Sequence, residues 1–353
     1  MSVQMIDRIA GDPLAVPYAK NSAPVQRVDK GYQCLAFMDL RFALTITHAG
    51  YTTPPQAFVE SLENIVAGVK LNATGKGGAA TIGTIKDVDL AYLFQMTRFL
   101  EKTPPVRVAP GTNNAAYVCE TNARIYFALP SVGRSIMNFT ARELFSMHIL
   151  DARFLSNFTI TPQFRDETAA FSGTGANGGT TTISNAQLTI QVRELTGLPT
   201  HAMTKKGRKP ILRPFVKESQ ALYDVTSTKQ DQRYKDLPTG NLIRRMVFKG
   251  TVGSNPWSDP SDAPFANTSR TEGGHLRLQE NNSYNFMDIV YQQQRAQNKN
   301  EFSLESMPAG YCVWNSPTGR NMVGIEKLDM LVDTNFTNGS TNEIQATITE
   351  LVG

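Results

Sequence analysis

The stretch YQCLAFMDLRFALTIT, Tyr32–Thr47, decides the fold class. Within it Leu40, Phe42, Leu44 and Ile46 alternate with Arg41, Ala43, Thr45 and Thr47. A period of two sends the first set to one face of an extended chain and the second to the other, so the segment reads as a β-strand with an apolar inner face. Similar strand signals follow at Asn64–Thr74, Ala123–Pro130, Phe154–Phe164 and Ala186–Leu195. Later ones are Leu242–Val252, His275–Glu280, Val323–Phe336 and Glu343–Val352. Gly-, Asn- and Pro-rich connections separate them. One of these, FSGTGANGGTTT (Phe171–Thr182), leads into a strand rather than a helix, so it is a turn or exposed loop and not a phosphate-binding loop.

Helical periodicity is confined to three places. Asp87–Lys102 begins with an Asp suited to capping and sets Leu90, Leu93, Phe94, Thr97 and Leu100 near one stripe, stopping at Pro104–Pro105. Thr140–Leu150 opens with Thr and has Glu143 three residues on, the capping-box spacing. Ser283–Gln297 is the third. Few helices among many strands give an all-β fold class with a few short helices, arranged as sandwiches.

The two halves echo each other. NIVAGVKL (Asn64–Leu71) resembles NLIRRMVF (Asn241–Phe248), and each precedes a long loop and then a helix, Asp87–Lys102 or Ser283–Gln297. After each helix come a short aromatic strand region, a long strand (Phe154–Phe164 or Val323–Phe336) and a closing strand. In the closing strands Leu188, Ile190, Val192 and Leu195 match Ile344, Ala346, Ile348 and Leu351, and Glu194–Leu195 matches Glu350–Leu351. The shared order of several elements predicts an internal duplication. Four segments follow: an arm over 1–30, a first domain over 31–197, a linker over 198–210 and a second domain over 211–353. The linker contains helix and strand breakers, positive charge and little hydrophobicity.

Composition fits this division. A chain of 353 residues suits two domains of ~150 residues each. Cys34, Cys119 and Cys312 are odd in number, far apart and set in apolar stretches, so they are expected as buried reduced thiols from a reducing compartment. No secretory signal stands at the N-terminus and no stretch approaches the ~20 apolar residues of a spanning helix, so a soluble protein is expected. The net charge is +4, and charged residues make up 19% of the chain, below the usual ~25%. The one dense basic cluster, Lys205, Lys206, Arg208, Lys209 and Arg213, lies in or beside the linker and reads as a solvated hinge, with anionic lipid or genome as the other reading. A weakly charged polar surface suits a protein covered by neighbours.

No catalytic, cofactor-binding or metal-binding residue is expected. His48, His148, His201 and His275 have no His or Cys at ligand spacing, and His148 beside Asp151 reads as a surface hydrogen bond. No GxSxG elbow is present, and Cys119 and Cys312 have no identifiable His partner. Asp39, Glu120, Asp151 and Glu326 could pair for glycoside hydrolysis only if the fold brought them together. The Asn-x-Ser/Thr triplets at Asn138, Asn157, Asn267 and Asn335 reflect composition.

The chain resembles the double jelly-roll major capsid proteins of tailless icosahedral phages with internal membranes, such as tectiviruses and corticoviruses, and of adenoviruses. The residues that carry the likeness are YQCLAFMDLRFALTIT, SLENIVAGVKL and DVDLAYLFQMTRF in the first half. In the second half they are DLPTGNLIRRMVFKGTV, MPAGYCVWNSPTGR and EIQATITELV. The resemblance implies two tandem eight-stranded jelly rolls per subunit, and homotrimers of pseudo-hexagonal outline that tile a virion shell. It implies synthesis in the host cytoplasm, minor capsid and vertex proteins as partners, and an internal membrane reached through the N-terminal arm or the base of the rolls. No sequence-specific nucleic acid and no cofactor are implied. The chain lacks a long amphipathic helix in the arm and an insertion large enough for an adenovirus-like tower. Ser254–Gly274 is the candidate outward loop or clasp. The competing expectations are a carbohydrate-binding or glycan-processing protein with Trp257 as platform and Trp314 as a core or interface strand residue, and a vertex or spike component.

Overall fold

The structure is a computed structural model and describes residues 6–9, 12–29, 34–75, 82–101, 105–127, 150–196, 215–253, 255–256, 274–336 and 340–352. The chain divides into two compact units, Met1–Lys217 and Glu218–Val352. The linker expected over 198–210, the Lys205–Arg213 cluster, the helix expected over 140–149, Trp257 and most of the 254–274 loop lie outside the described residues.

The first unit contains eight principal strands: β1 (Leu14–Pro17), β2 (Gln26–Arg27), β3 (Cys34–Ala49), β4 (Val66–Gly75), β5 (Gly83–Val88), β6 (Ala116–Tyr126), β7 (Leu155–Phe164) and β8 (Thr180–Thr196). A short helix α1 (Ser61–Ile65) precedes β4, and helix α2 (Leu90–Glu101) joins β5 to β6. Pairing is nested and antiparallel. β1 pairs with β8, β2 with β7, β3 with β6 and β4 with β5. Such a stack of hairpins within hairpins has no single-sheet solution that buries its apolar face, so alternate rungs go to opposite sheets. One sheet runs β1·β8·β3·β6 and the other β2·β7·β4·β5.

The core lies between the sheets. Leu40, Phe42, Leu44 and Ile46 of β3 are all at most 2% exposed, and the residues between them face outward, as the alternation predicts. Phe42 opposes Leu188 and Leu40 opposes Ile190 across the β3·β8 ladder, cross-strand apolar pairs that each add to sheet stability. Val69 and Leu71 of β4 and Phe158 and Ile160 of β7 supply the facing layer. Fully burying each such side chain contributes roughly 1.5–3 kcal/mol.

Residues 14–28, within the segment expected as an arm, pair with strands of the first unit. Beyond β1 and β2, the Tyr18 amide donates to Ala186 O and the Val28 amide to Phe158 O. The Tyr18 ring packs against Phe164 and Phe42. Ile6–Ile9 also pairs with Arg193–Thr196. The composition conceals this because these strands are two to four residues long, interrupted by Pro17 and Pro24.

The second unit repeats the plan with β9 (Phe215–Asp224, in this unit from Glu218), β10 (Lys229–Tyr234), β11 (Leu242–Val252) and β12 (His275–Glu280). It continues with β13 (Tyr284–Val290), helix α3 (Tyr291–Glu301), β14 (Tyr311–Asn321), β15 (Leu328–Thr334) and β16 (Asn342–Val352). β9 pairs with β16, β10 with β15, β11 with β14 and β12 with β13. The sheets run β9·β16·β11·β14 and β10·β15·β12·β13. Numbered within each unit, both have the order 1-8-3-6 over 2-7-4-5, with a helix between strands five and six. Each unit is an eight-stranded jelly roll.

Shared strand order corrects two sequence expectations. The counterpart of Leu242–Val252 is β3, not Asn64–Leu71, and the counterpart of β4 is His275–Glu280. Ser283–Gln297 is not one helix: Tyr284–Val290 forms β13, and only Tyr291–Glu301 is helical. The α2 cap is Asp89, whose Oδ1 accepts from the Tyr92 amide, whereas Asp87 sits in β5 opposite Lys70.

Candidate assembly surfaces

A sandwich subunit meets neighbours through strand edges and outer sheet faces, so the state of each decides what can dock. The sixth strand borders its sheet in both units, and in both the border is covered. In the first unit the Arg107–Val108 segment pairs with Thr121 and Glu120 of β6, and the Asn122 amide donates to Val106 O. Further along, the Arg124 amide donates to Thr97 Oγ1 of α2. In the second unit α3 covers β14. Asn298 accepts from the Val313 amide at 2.8 Å, and both Asn298 and Gln294 donate to Val313 O at 2.8 Å. Arg295 donates to the carbonyls of Met307, Pro308 and Tyr311.

The β10 edge is blunted differently. Its sequence KQDQRY is charged, Asp231 has φ 51°, and the register shifts between Lys229 and Gln232. Charge and a bulge together discourage strand addition.

The outer face of β8·β3·β6 in the first unit is open to solvent and polar. Arg124 lies over the Phe37 ring and bonds Asp39 at 2.7 Å and Glu101, while Arg41 pairs with Glu120. A groove of about 420 Å³ is lined there by Asp39, Arg41, Thr97, Glu101, Val106 and Arg124. Beside it Val106, Val108 and Val118 are exposed. Three solvent-facing valines next to a groove of paired charges have the mixed character of non-obligate contact surfaces.

In the first unit the carboxylates that the sequence offers for chemistry are each held by arginines. Asp39 is held by Arg124 and Arg193, Glu120 by Arg41, and the buried Asp151 by Arg153. Asp39 stands opposite Arg124 and Glu120 opposite Ala43, so these two carboxylates are four rungs apart on the register. At ~3.4 Å per residue the backbone positions lie about 14 Å apart along the ladder, and each carboxylate is paired with its own arginine rather than with the other. Glu326 is exposed in a turn whose amides, at Glu326 and Lys327, donate to Asn281 Oδ1.

All three cysteines are buried and none is in a disulfide. Burial pushes the Cys119 thiol up to about 11 and the Cys312 thiol up to about 12, so neither is a thiolate at neutral pH. Among the described residues no three His, Cys, Asp or Glu side chains converge as metal ligands. His275 bonds Asp288 at 3.0 Å, His48 is buried in the first unit, and His148 and His201 lie outside the described residues. Trp314 is a half-buried β14 residue that packs against Phe286 and the core of the second unit. Asn157 is exposed on β7. No described helix is long and apolar enough to cross a membrane.

No family model matches the chain, and no curated protein does. Solved structures do. The chain is similar to the STIV MCP at 10% identity and a TM-score of 0.68, over 99% of this chain and 97% of that one. The PBCV-1 virus capsid matches at 9% identity and a TM-score of 0.57, over 99% and 93%. The major capsid protein P2 of bacteriophage PM2 matches at 11% identity and a TM-score of 0.52, over 99% and 98%. The fold is therefore that of the double jelly-roll major capsid proteins, and the likeness spans both units.

Proposed function

We propose that this chain is the major capsid protein of a tailless icosahedral virus, a structural subunit that forms homotrimers and tiles the virion shell. The observation that carries the reading is the doubled strand order, 1-8-3-6 over 2-7-4-5 in each unit, with full-length correspondence to shell proteins of similar size. Two rolls in each of three subunits make six sandwiches, a hexagonal unit that fills a flat facet. Closure around a threefold axis also removes exposed sheet borders and faces from solvent. The domains are assigned as a first roll that ends by residue 197, a linker over 198–210 and a second roll from 211. The subunit acts without catalysis and without cofactors. Minor capsid and vertex proteins are its further partners. Contact with a membrane through a free N-terminal arm is not retained, because Ile6–Ile9 and Leu14–Arg27 contribute strands.

Light scattering on the purified chain tests the reading. One species near three times 38.9 kDa, about 117 kDa, is expected for a closed trimer. A monomer that persists across concentration contradicts it and directs attention to glycan binding, with Trp257→Ala as the variant that removes the candidate platform.

A further inference from the structure

At one end of the first roll a buried histidine closes a hydrogen-bond chain that no shell-building role requires. His48, near the end of β3, is 1% exposed. Its Nδ1 lies 2.9 Å from Thr181 Oγ1 on the paired strand β8. Thr181 Oγ1 is 2.9 Å from Tyr51 Oη, which accepts from the Gly175 amide at 3.0 Å. Tyr51 also exchanges two bonds with Asn114: its amide donates to Asn114 Oδ1, and Asn114 Nδ2 donates to its carbonyl. One residue thus clips together the turn after β3, the loop before β6, through its backbone, and the 171–181 loop, through its hydroxyl. Gly179 lies directly under the Tyr51 ring, where an added Cβ would come within 2.3 Å of it.

The Gly175 amide can only donate, so Tyr51 Oη accepts there. Thr181 Oγ1 can donate to or accept from both Tyr51 Oη and His48 Nδ1, so either imidazole tautomer can close the chain. Nε2 is buried and has no hydrogen-bond partner among the described residues. The Phe171 ring meets the imidazole edge-on at 4.9 Å, and the titratable groups whose rings face it are Tyr51 and Tyr117. Among the described residues no carboxylate, Lys or Arg acts on it; burial alone holds it below its ordinary 6.5. A second proton would leave a charge buried among aromatic rings, with no counterion among the described residues.

We propose that the His48–Thr181–Tyr51–Gly175 chain is an acid-operated latch, which holds the 171–181 loop against the end of the first roll at neutral pH and releases it when His48 is protonated. The sign follows from the lowered pKa. Above about pH 6.5 neither the closed nor the open form is protonated, and the latch has its full stability. As pH falls below that value the open form takes up the proton first, and closure weakens until the folded-state pKa is passed.

Amide hydrogen exchange on the full chain at pH 7.5 and 5.0, corrected for intrinsic exchange rates, tests this. Protection across 171–181 is expected to fall by about tenfold for each pH unit between the two pKa values, while β7 keeps its protection. In His48→Gln the fall should disappear. Wild-type protection that is unchanged at pH 5.0, or an equal fall in His48→Gln, overturns the proposal. Tyr51→Phe cuts the link to Gly175 and should loosen the loop at both pH values. If it leaves protection at pH 7.5 intact, the chain does not hold the loop and the latch is refuted, even should His48→Gln fail to fold.

Discussion

Helices α2 and α3 occupy the same place in their rolls, between the fifth and sixth strands, yet opposite kinds of interaction hold them. α2, LAYLFQMTRFLE, buries nine of its twelve residues, among them Leu90, Leu93, Met96, Phe99 and Leu100. It is a core helix whose polar contacts to the sixth strand come from Thr97, which accepts from the Arg124 amide, and Glu101, which accepts from the Arg124 and Tyr126 side chains. α3, YQQQRAQNKNE, buries only Tyr291, Gln294 and Asn298 of its eleven residues. It forms from residues of good helix propensity and docks by hydrogen bonds to the backbone of the sixth strand and the loop before it. The jelly-roll order constrains where a helix must sit and what it must cover, but not how. Covering an edge through packing or through amide bonds satisfies the same requirement. That freedom accounts for two rolls of one topology with so little sequence in common.

The comparison can be broken at three levels. The largest effect is expected from Phe99→Ala in α2, where a ring with no exposure leaves a cavity. Denaturant unfolding should show roughly 3–5 kcal/mol lost from the first roll, with the second unaffected. Next comes Asn298→Leu in α3, which leaves the Val313 amide without a partner. A loss of about 1–3 kcal/mol is expected, with faster amide exchange in β14 while α3 stays helical. Equal responses of the two rolls to these substitutions would show that the helices are held alike. The smallest effect is expected for Lys70→Ala. Its 3.7 Å pair with Asp87 is solvent-exposed on both sides, and unfolding should shift by less than about 0.5 kcal/mol.

How much of this was legible depended on whether a strand has one wet face. β3 and β8 do, and their inward residues are readable by period alone; β11 and β16 alternate in sequence although both of their faces are buried over Arg245–Gly250 and Ala346–Glu350. β10 has polar residues on both faces, Lys229, Asp231 and Arg233 alternating with Gln230 and Gln232, and β1 and β2 are too short for a period to show, so none of the three is legible. Tyr284–Val290 was read as helix because NFMDIV carries apolar residues compatible with either period. Its β-branched Ile289 and Val290, and its ladder with β12, decide for strand. The duplication was legible, but not its alignment. Amphipathic strands reveal which face is buried and not which sheet they join, so Asn64–Leu71 was set against Asn241–Phe248, one strand out of step. The surfaces were illegible for a different reason. Asp39, Glu101 and Arg124, and likewise His48, Tyr51, Thr181 and Gly175, meet only through strand pairing and loop closure, which spacing along the chain does not encode.

The central claim is that two rolls per chain become six in a closed trimer. Electron microscopy of the purified protein tests it most directly. The account predicts threefold particles with six peripheral lobes of density. Two-lobed single subunits, or twofold pairs, would contradict it.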